Sequence, residues 1–262
     1  MRLVLCIGIF IAVLLVCTTV FAQGEPFKFR LSSWDTEFNM NLTVSQDSTI
    51  GTELSSNMLG LRNDHSVPSL ELIFYQSGFK LTLGYWEALY TGTGQLTTNI
   101  TFAGVTYSVS DVVDSKLKIT SYDLRAQLNL FSISNTEIGV VGGVRFLNYY
   151  VQIVDTTSAF AESDEAFAPV PYIGGAAEFP IENLFVVGAN VVTFSYSDKS
   201  TGLKLNSYLD TNFYAELRIG PIAARAGYSN IKLNFEKTGT DAVDMDHYIK
   251  GPFFGVYIAL PL

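Results

Sequence analysis

The chain has 262 residues, 48% of them apolar and 13% aromatic, with 16 Lys+Arg against 25 Asp+Glu and a net charge of −9. That acidity argues against nucleic acid and against a polybasic membrane anchor. After the first stretch, no apolar run approaches the ~20 residues of a spanning helix, so a helical membrane protein is excluded for the rest.

The opening segment MRLVLCIGIFIAVLLVCTTVFAQGEP has the pattern of an export signal. Arg2 supplies the positive start, Leu3–Val16 the apolar core, and Val20-Phe21-Ala22 a cleavage triplet. Cleavage is expected after Ala22, giving a signal peptide over 1–22 and one domain over 23–262. Both cysteines, Cys6 and Cys17, lie in the signal, so the mature chain excludes disulfides, thiolate catalysis and cysteine zinc sites. It keeps fifteen Lys+Arg against twenty-five Asp+Glu, a net of about −10.

The rest alternates with period two, the signature of strands with two different faces. The first strand, Phe27–Val44, places Phe27, Phe29 and Leu31 on one face, then Phe38, Met40, Leu42 and Val44 on the other parity. A bulge near Ser32-Ser33 is expected to restore one apolar face. A loop over 45–67 follows, then a strand over 68–75 with Leu70, Leu72 and Phe74 opposite Glu71. Gln76-Ser77-Gly78 turns into a third strand, 79–90. The loop 91–112 contains a small hairpin of its own, Thr98–Phe102 with Val105–Val109, around Ala103-Gly104. The fourth strand, 117–131, sets Tyr122, Leu124, Ala126, Leu128 and Leu130 against Ser121, Asp123, Arg125, Gln127 and Asn129. A fifth runs over 137–154, an acidic loop over 155–167, and a sixth strand over 170–179. The seventh, 184–197, is apolar on both faces and its orientation stays open. The eighth, 205–219, and ninth, 222–235, meet at Gly220-Pro221, and a polar loop covers 236–247. The last strand runs from Lys250 to Leu262.

Short turns alternate with long loops, the rhythm of a barrel with both termini on the side of the short turns. The expected fold class is all-β: a transmembrane up-and-down antiparallel β-barrel of ten strands, with eight or twelve as alternatives. Aromatics near strand ends (Phe27, Phe29, Trp34, Tyr85, Trp86, Tyr90, Tyr149, Tyr150, Tyr196, Tyr228, Phe253, Phe254) are expected to form girdles at the lipid boundary. A soluble β-sandwich or lipocalin-like binder would have strands of ~5–6 residues, about half the length of several here.

The closing strand GPFFGVYIAL, the loop rhythm and the segment SVPSLELIF…LTLGYWEALYTG resemble small outer-membrane β-barrel proteins of Gram-negative bacteria. The resemblance covers the signal and the whole mature chain. It implies export to the outer membrane, contact with its lipid and lipopolysaccharide, and insertion by the barrel assembly machinery through the C-terminal strand. The final residue, Leu262, departs from the aromatic that usually ends such chains.

Parity places eleven charges inside such a barrel: Arg30, Arg125, Arg145, Arg218 and Arg225 with Glu71, Asp123, Glu137, Glu178, Asp210 and Glu216. Two readings stay open. The charges pair into a plug, or they line a narrow path for small solutes. His65 and His247 fall in predicted outer loops. His247 lies beside Asp244 and Asp246, an arrangement similar to the rim carboxylates and histidine of omptin-type proteases, so a rim enzyme acting on lipid A or peptides is the alternative function. Hydrolase, zinc-protease and phosphate-loop motifs are absent from the sequence. Asp241, Asp244 and Asp246, or Glu162, Asp164 and Glu165, lack the full spacing of a calcium loop. The expectation is therefore a non-enzymatic barrel without catalytic residues, metal or cofactor, and without a nucleic-acid partner.

Overall fold

Period-two alternation becomes a closed ring. In this computed structural model the described residues are 27–260, apart from 46–48, 62–63, 77, 134–135, 157–160, 183, 199–201 and 240–241. The expected signal peptide, Asp241 and Leu262 lie outside the described residues.

The elements in chain order are β1 (Phe27–Ser45), β2 (Leu54–Ser55), β3 (Asp64–Gln76), β4 (Phe79–Gln95), β5 (Ile100–Phe102), β6 (Val105–Tyr107), β7 (Val112–Ile133), β8 (Thr136–Asp155), β9 (Ala161–Ile181), β10 (Phe185–Asp198), β11 (Leu203–Ile219), β12 (Ile222–Lys237) and β13 (Ala242–Leu260). Among the described residues ten long strands form the wall, each antiparallel to the next, and β13 pairs back to β1. Closure leaves no strand at the end of the sheet, and neighbouring wall strands satisfy one another's backbone groups up to Ser69–Trp86 between β3 and β4 and Ile173–Thr193 between β9 and β10, where those two ladders stop. The β5–β6 hairpin stands apart from the wall. Its turn residues Ala103 and Gly104 both have positive φ, 48° and 79°, as a two-residue hairpin turn requires.

Wall strands run from 13 to 22 residues, whereas ~9–11 tilted residues cross a bilayer. The surplus is explained by a change of environment along each strand. At the end with the short turns, here the lower half, the outer face is apolar: Phe254, Val256, Ile258 and Leu260 on β13, and Leu128 and Leu130 on β7, are exposed. Towards the long loops, the upper half, the outer face becomes polar (Asp244 and Asp246 on β13, Asn41 on β1) and apolar side chains turn inward.

The expected bulge near Ser32-Ser33 is corrected by the register. β1 pairs with β3 without a shift from Phe27 to Glu37, and with β13 at constant offset on both sides of residues 35–36. The chain keeps its pleat. What switches is the solvent: Phe27, Phe29 and Leu31 point out of the lower half, and Phe38, Met40, Leu42 and Val44 point into the upper half, where they are buried. Four girdle assignments need similar correction. Trp34, Trp86, Tyr90 and Tyr149 are buried inside; Tyr85 and Tyr228 point outward as expected, joined by Tyr122 and by Phe146 stacked on Phe167. The seventh predicted strand, β10, is oriented by the ring, with Val187 and Val191 outward and Val186 and Val192 inward.

The upper lumen is filled like the interior of a soluble protein. Phe38 stacks on Tyr90 at 4.3 Å. Leu54 and Leu59 from the first loop and Ile100 and Phe102 from the hairpin fold in over them and are fully buried. Each such side chain contributes roughly 1.5–3 kcal/mol by leaving water. The first loop can cross β4 because residue 92 is glycine: a Cβ there would collide with the Gly60 carbonyl, and Leu61 bridges to Gly92 at that crossing.

Candidate functional site

Beneath this apolar core the lower lumen holds a cavity of 340 Å³. Trp34, Trp86, Phe253 and Ile231 form its roof, and Lys28, Lys80, Glu137 and Arg218 line it near the short turns. The two tryptophans meet edge-to-face at 6.0 Å, and Trp34 Nε1 donates to the Gly251 carbonyl at 3.1 Å, which pins the roof.

All eleven charges placed inside by parity line this cavity. Burial inside a ring makes unpaired charge costly, and the arrangement answers that cost with bonds across the lumen. Arg125 Nη2 lies 3.1 Å from Asp123 and 3.5 Å from Asp210, and Arg145 Nη2 lies 3.0 Å from Asp210 and 3.5 Å from Asp123. β7 and β8 are thereby clamped to β11 on the far side. Tyr172 OH donates to Asp123 at 2.7 Å. Lower down, Lys80 on β4 reaches Glu178 on β9 at 2.6 Å, and Tyr75 on β3 donates to Glu137 on β8 at 2.6 Å. Arg30 pairs with its strand neighbour Glu71 at 2.6 Å. Glu216 holds Arg218 Nε at 2.6 Å and accepts from Tyr257 OH at 2.7 Å.

Two lumen cations, Lys28 and Lys80, were not among the eleven. Both share the parity of inward neighbours, Arg30 and Thr82, so the signal was present. The tyrosines that complete the network (Tyr75, Tyr172, Tyr214, Tyr257) also sit at inward positions, but their partners are far away in sequence.

The rim histidine reading is corrected. His247 lies within β13, not in a loop, and is inward and 3% exposed. Its Nε2 lies 3.3 Å from Tyr149 OH, and Phe38 packs nearby. Asp244 and Asp246 point to the opposite, outer face, so adjacent sequence numbers separate the ring from both carboxylates. The segment stands above the apolar belt, and burial lowers the imidazole pKa to about 3. His65 opens β3 at the rim, exposed, with its ring edge-on to Tyr90 at 5.8 Å. The acidic candidates divide as well: on β9, Glu162 and Asp164 face inward while Glu165 faces out.

No family model and no curated protein matches the sequence. Among solved structures, the chain is similar to the outer membrane protease OmpT of Escherichia coli, with TM-score 0.59 and 11% identity over 91% of this chain and 98% of that one. The transport unit of the autotransporter AIDA-I of Escherichia coli matches at TM-score 0.41 and 8% identity, over 91% of this chain and 92% of that one. The translocator domain of NalP of Neisseria meningitidis matches at TM-score 0.42 and 9% identity, over 98% and 97%. The fold is that of an outer-membrane β-barrel. At these identities the likeness is one of architecture, and the role of this barrel has to be argued from its own interior.

Proposed function

We propose that this chain is a non-enzymatic outer-membrane barrel with a closed lumen, a structural component of the envelope and not a solute path. The observation that carries the reading is the filled upper half. A solute entering the charged cavity from below meets the Trp34–Trp86 roof, and above it a packed layer containing Phe38, Tyr90, Tyr149 and Phe102. Conduction needs a continuous polar path. The apolar belt of the lower half would face outer-membrane lipid, the polar upper wall would rise among lipopolysaccharide headgroups, and β13, the strand that closes the ring, would engage the assembly machinery. The burial of His247 away from Asp244 and Asp246 supports the absence of rim catalysis, because a general base needs its partner within hydrogen-bond reach.

The test is planar-bilayer recording on inserted protein whose gel mobility shifts on heating. A silent bilayer is expected. Steady single-channel steps that change with Arg125→Ala would overturn the closed-lumen reading.

A further inference from the structure

The carboxylates and the cations of the cavity are not equally satisfied. Asp123, Glu178, Asp210 and Glu216 each already hold at least two donors. The cations have capacity left. Arg225 is 8% exposed, and its Nε is buried without an acceptor among the described residues. Its Nη2 donates to the neutral Asn212 Oδ1 at 2.8 Å, and its guanidinium lies 3.4 Å from the centre of the Tyr214 ring. Among the described residues no carboxylate stands within ion-pair distance of Arg225 or of Lys28, whose Nζ lies 5.0 Å from the Tyr257 ring. Arg30 spends Nη1 on Glu71 but leaves Nε unmet. Seven cations and six carboxylates line the cavity, a local positive excess in a chain whose net charge is −9.

The position of Arg225 is built. Tyr214 lies flat over its cross-strand partner Gly188, where a Cβ would collide with the ring. The guanidinium then stacks on the exposed face of that ring. Gly255, beside Arg225 in the register, lets β1 pack close, since a Cβ there would collide with the Ser32 hydroxyl. A planar, pre-oriented guanidinium with an unused donor, in a cavity of 340 Å³, has the form of an oxyanion site. A water molecule could answer the hydrogen bond but not the charge. An anion answers both.

We infer that the lower lumen binds one small oxyanion, a molecule carrying a carboxylate or phosphate group, at Arg225, with Lys28 and Arg30 completing the site. Entry is from the short-turn end, where the Arg218 side chain is 34% exposed. The inference rests on the closed upper lumen only in making the site a blind pocket. Failure of that reading shows as conductance, whereas failure of the site shows as absent binding in a silent barrel.

The experiment uses the full chain expressed with its leader and extracted in detergent. Inorganic phosphate and succinate are titrated at constant ionic strength against chloride, reading thermal unfolding and calorimetric binding. Saturable binding at one site is expected, with a rise in unfolding temperature that chloride does not reproduce. Arg225→Met should weaken binding at least tenfold while leaving the anion-free unfolding temperature unchanged or higher, because it removes a buried unpaired charge. Arg225→Lys should lose less, and Lys28→Met should weaken binding without altering the barrel. No saturable binding of either anion to wild type would overturn the site, and so would undiminished binding to Arg225→Met. An anion-free unfolding temperature that drops in Arg225→Met with binding retained would make Arg225 structural only.

Discussion

The two halves of this barrel use one wall for opposite packing problems. The lower half is apolar outside and charged inside, tied across its lumen by the Asp123–Arg125–Arg145–Asp210 clamp. The upper half is polar outside and apolar inside, filled by side chains of β1, β4, β8 and two inward-folded loops. Both halves are built on antiparallel ladders, although the β3–β4 and β9–β10 pairings stop at Ser69–Trp86 and Ile173–Thr193, short of the upper half. The difference lies in what touches each face, lipid or water outside and charge or hydrocarbon inside. A continuous strand can serve both halves by exchanging residue types at fixed parity, as β1 does between Leu31 and Phe38.

Each half should therefore fail through a different chemistry. The largest losses are expected inside. Phe38→Ala empties a fully buried site in the upper half and should cost about 3–5 kcal/mol. Asp123→Asn leaves two guanidiniums short of a carboxylate in the lower half and should cost a similar ~3–5 kcal/mol. Chemical unfolding in lipid measures both, and protease digestion from outside should attack only the Phe38 variant early. If both variants loosen the same region, the division into halves is wrong.

An intermediate effect compares two positions on one strand and one face. Leu31 and Asn41 both point outward from β1, below and above the change of environment. Leu31→Arg should cost about 2–4 kcal/mol in a bilayer, and Asn41→Arg should stay within ~0.5 kcal/mol. Equal costs would mean that lipid does not stop where the outer face turns polar.

The smallest effect is a pH dependence confined to the upper half. His247 has a folded pKa lowered to about 3 from 6.5. The unfolded chain therefore takes up a proton first, and stability falls as pH drops below 6.5 towards 3. Between pH 7 and 5 the loss from this group should be about 2 kcal/mol at roughly 1.36 kcal/mol per unit. As pH falls, the unfolding midpoint of wild type should drop relative to that of His247→Phe, and parallel curves would remove His247 as the cause.

Strand number, face alternation, the isolated hairpin around Ala103-Gly104 and the inward set from Arg30 to Arg225 were legible in sequence, because a pleat of period two leaves its mark in every strand. The burial of His247, the roof of Trp34 and Trp86 and the partners across the lumen were not. Arg125 finds Asp210 85 residues away, and no local pattern encodes such a meeting.

The sequence by itself determined an antiparallel barrel wall with two chemically distinct faces per strand, ten strands being expected with eight or twelve open. Only the tertiary structure decided which face is inside at each height. Periodicity records that two faces differ, whereas the direction of the difference depends on the medium, and along each strand the medium changes from lipid to water. The same physics explains why the phase shift in β1 resembled a bulge: apolar residues follow hydrocarbon, first out to the lipid and then in to the core.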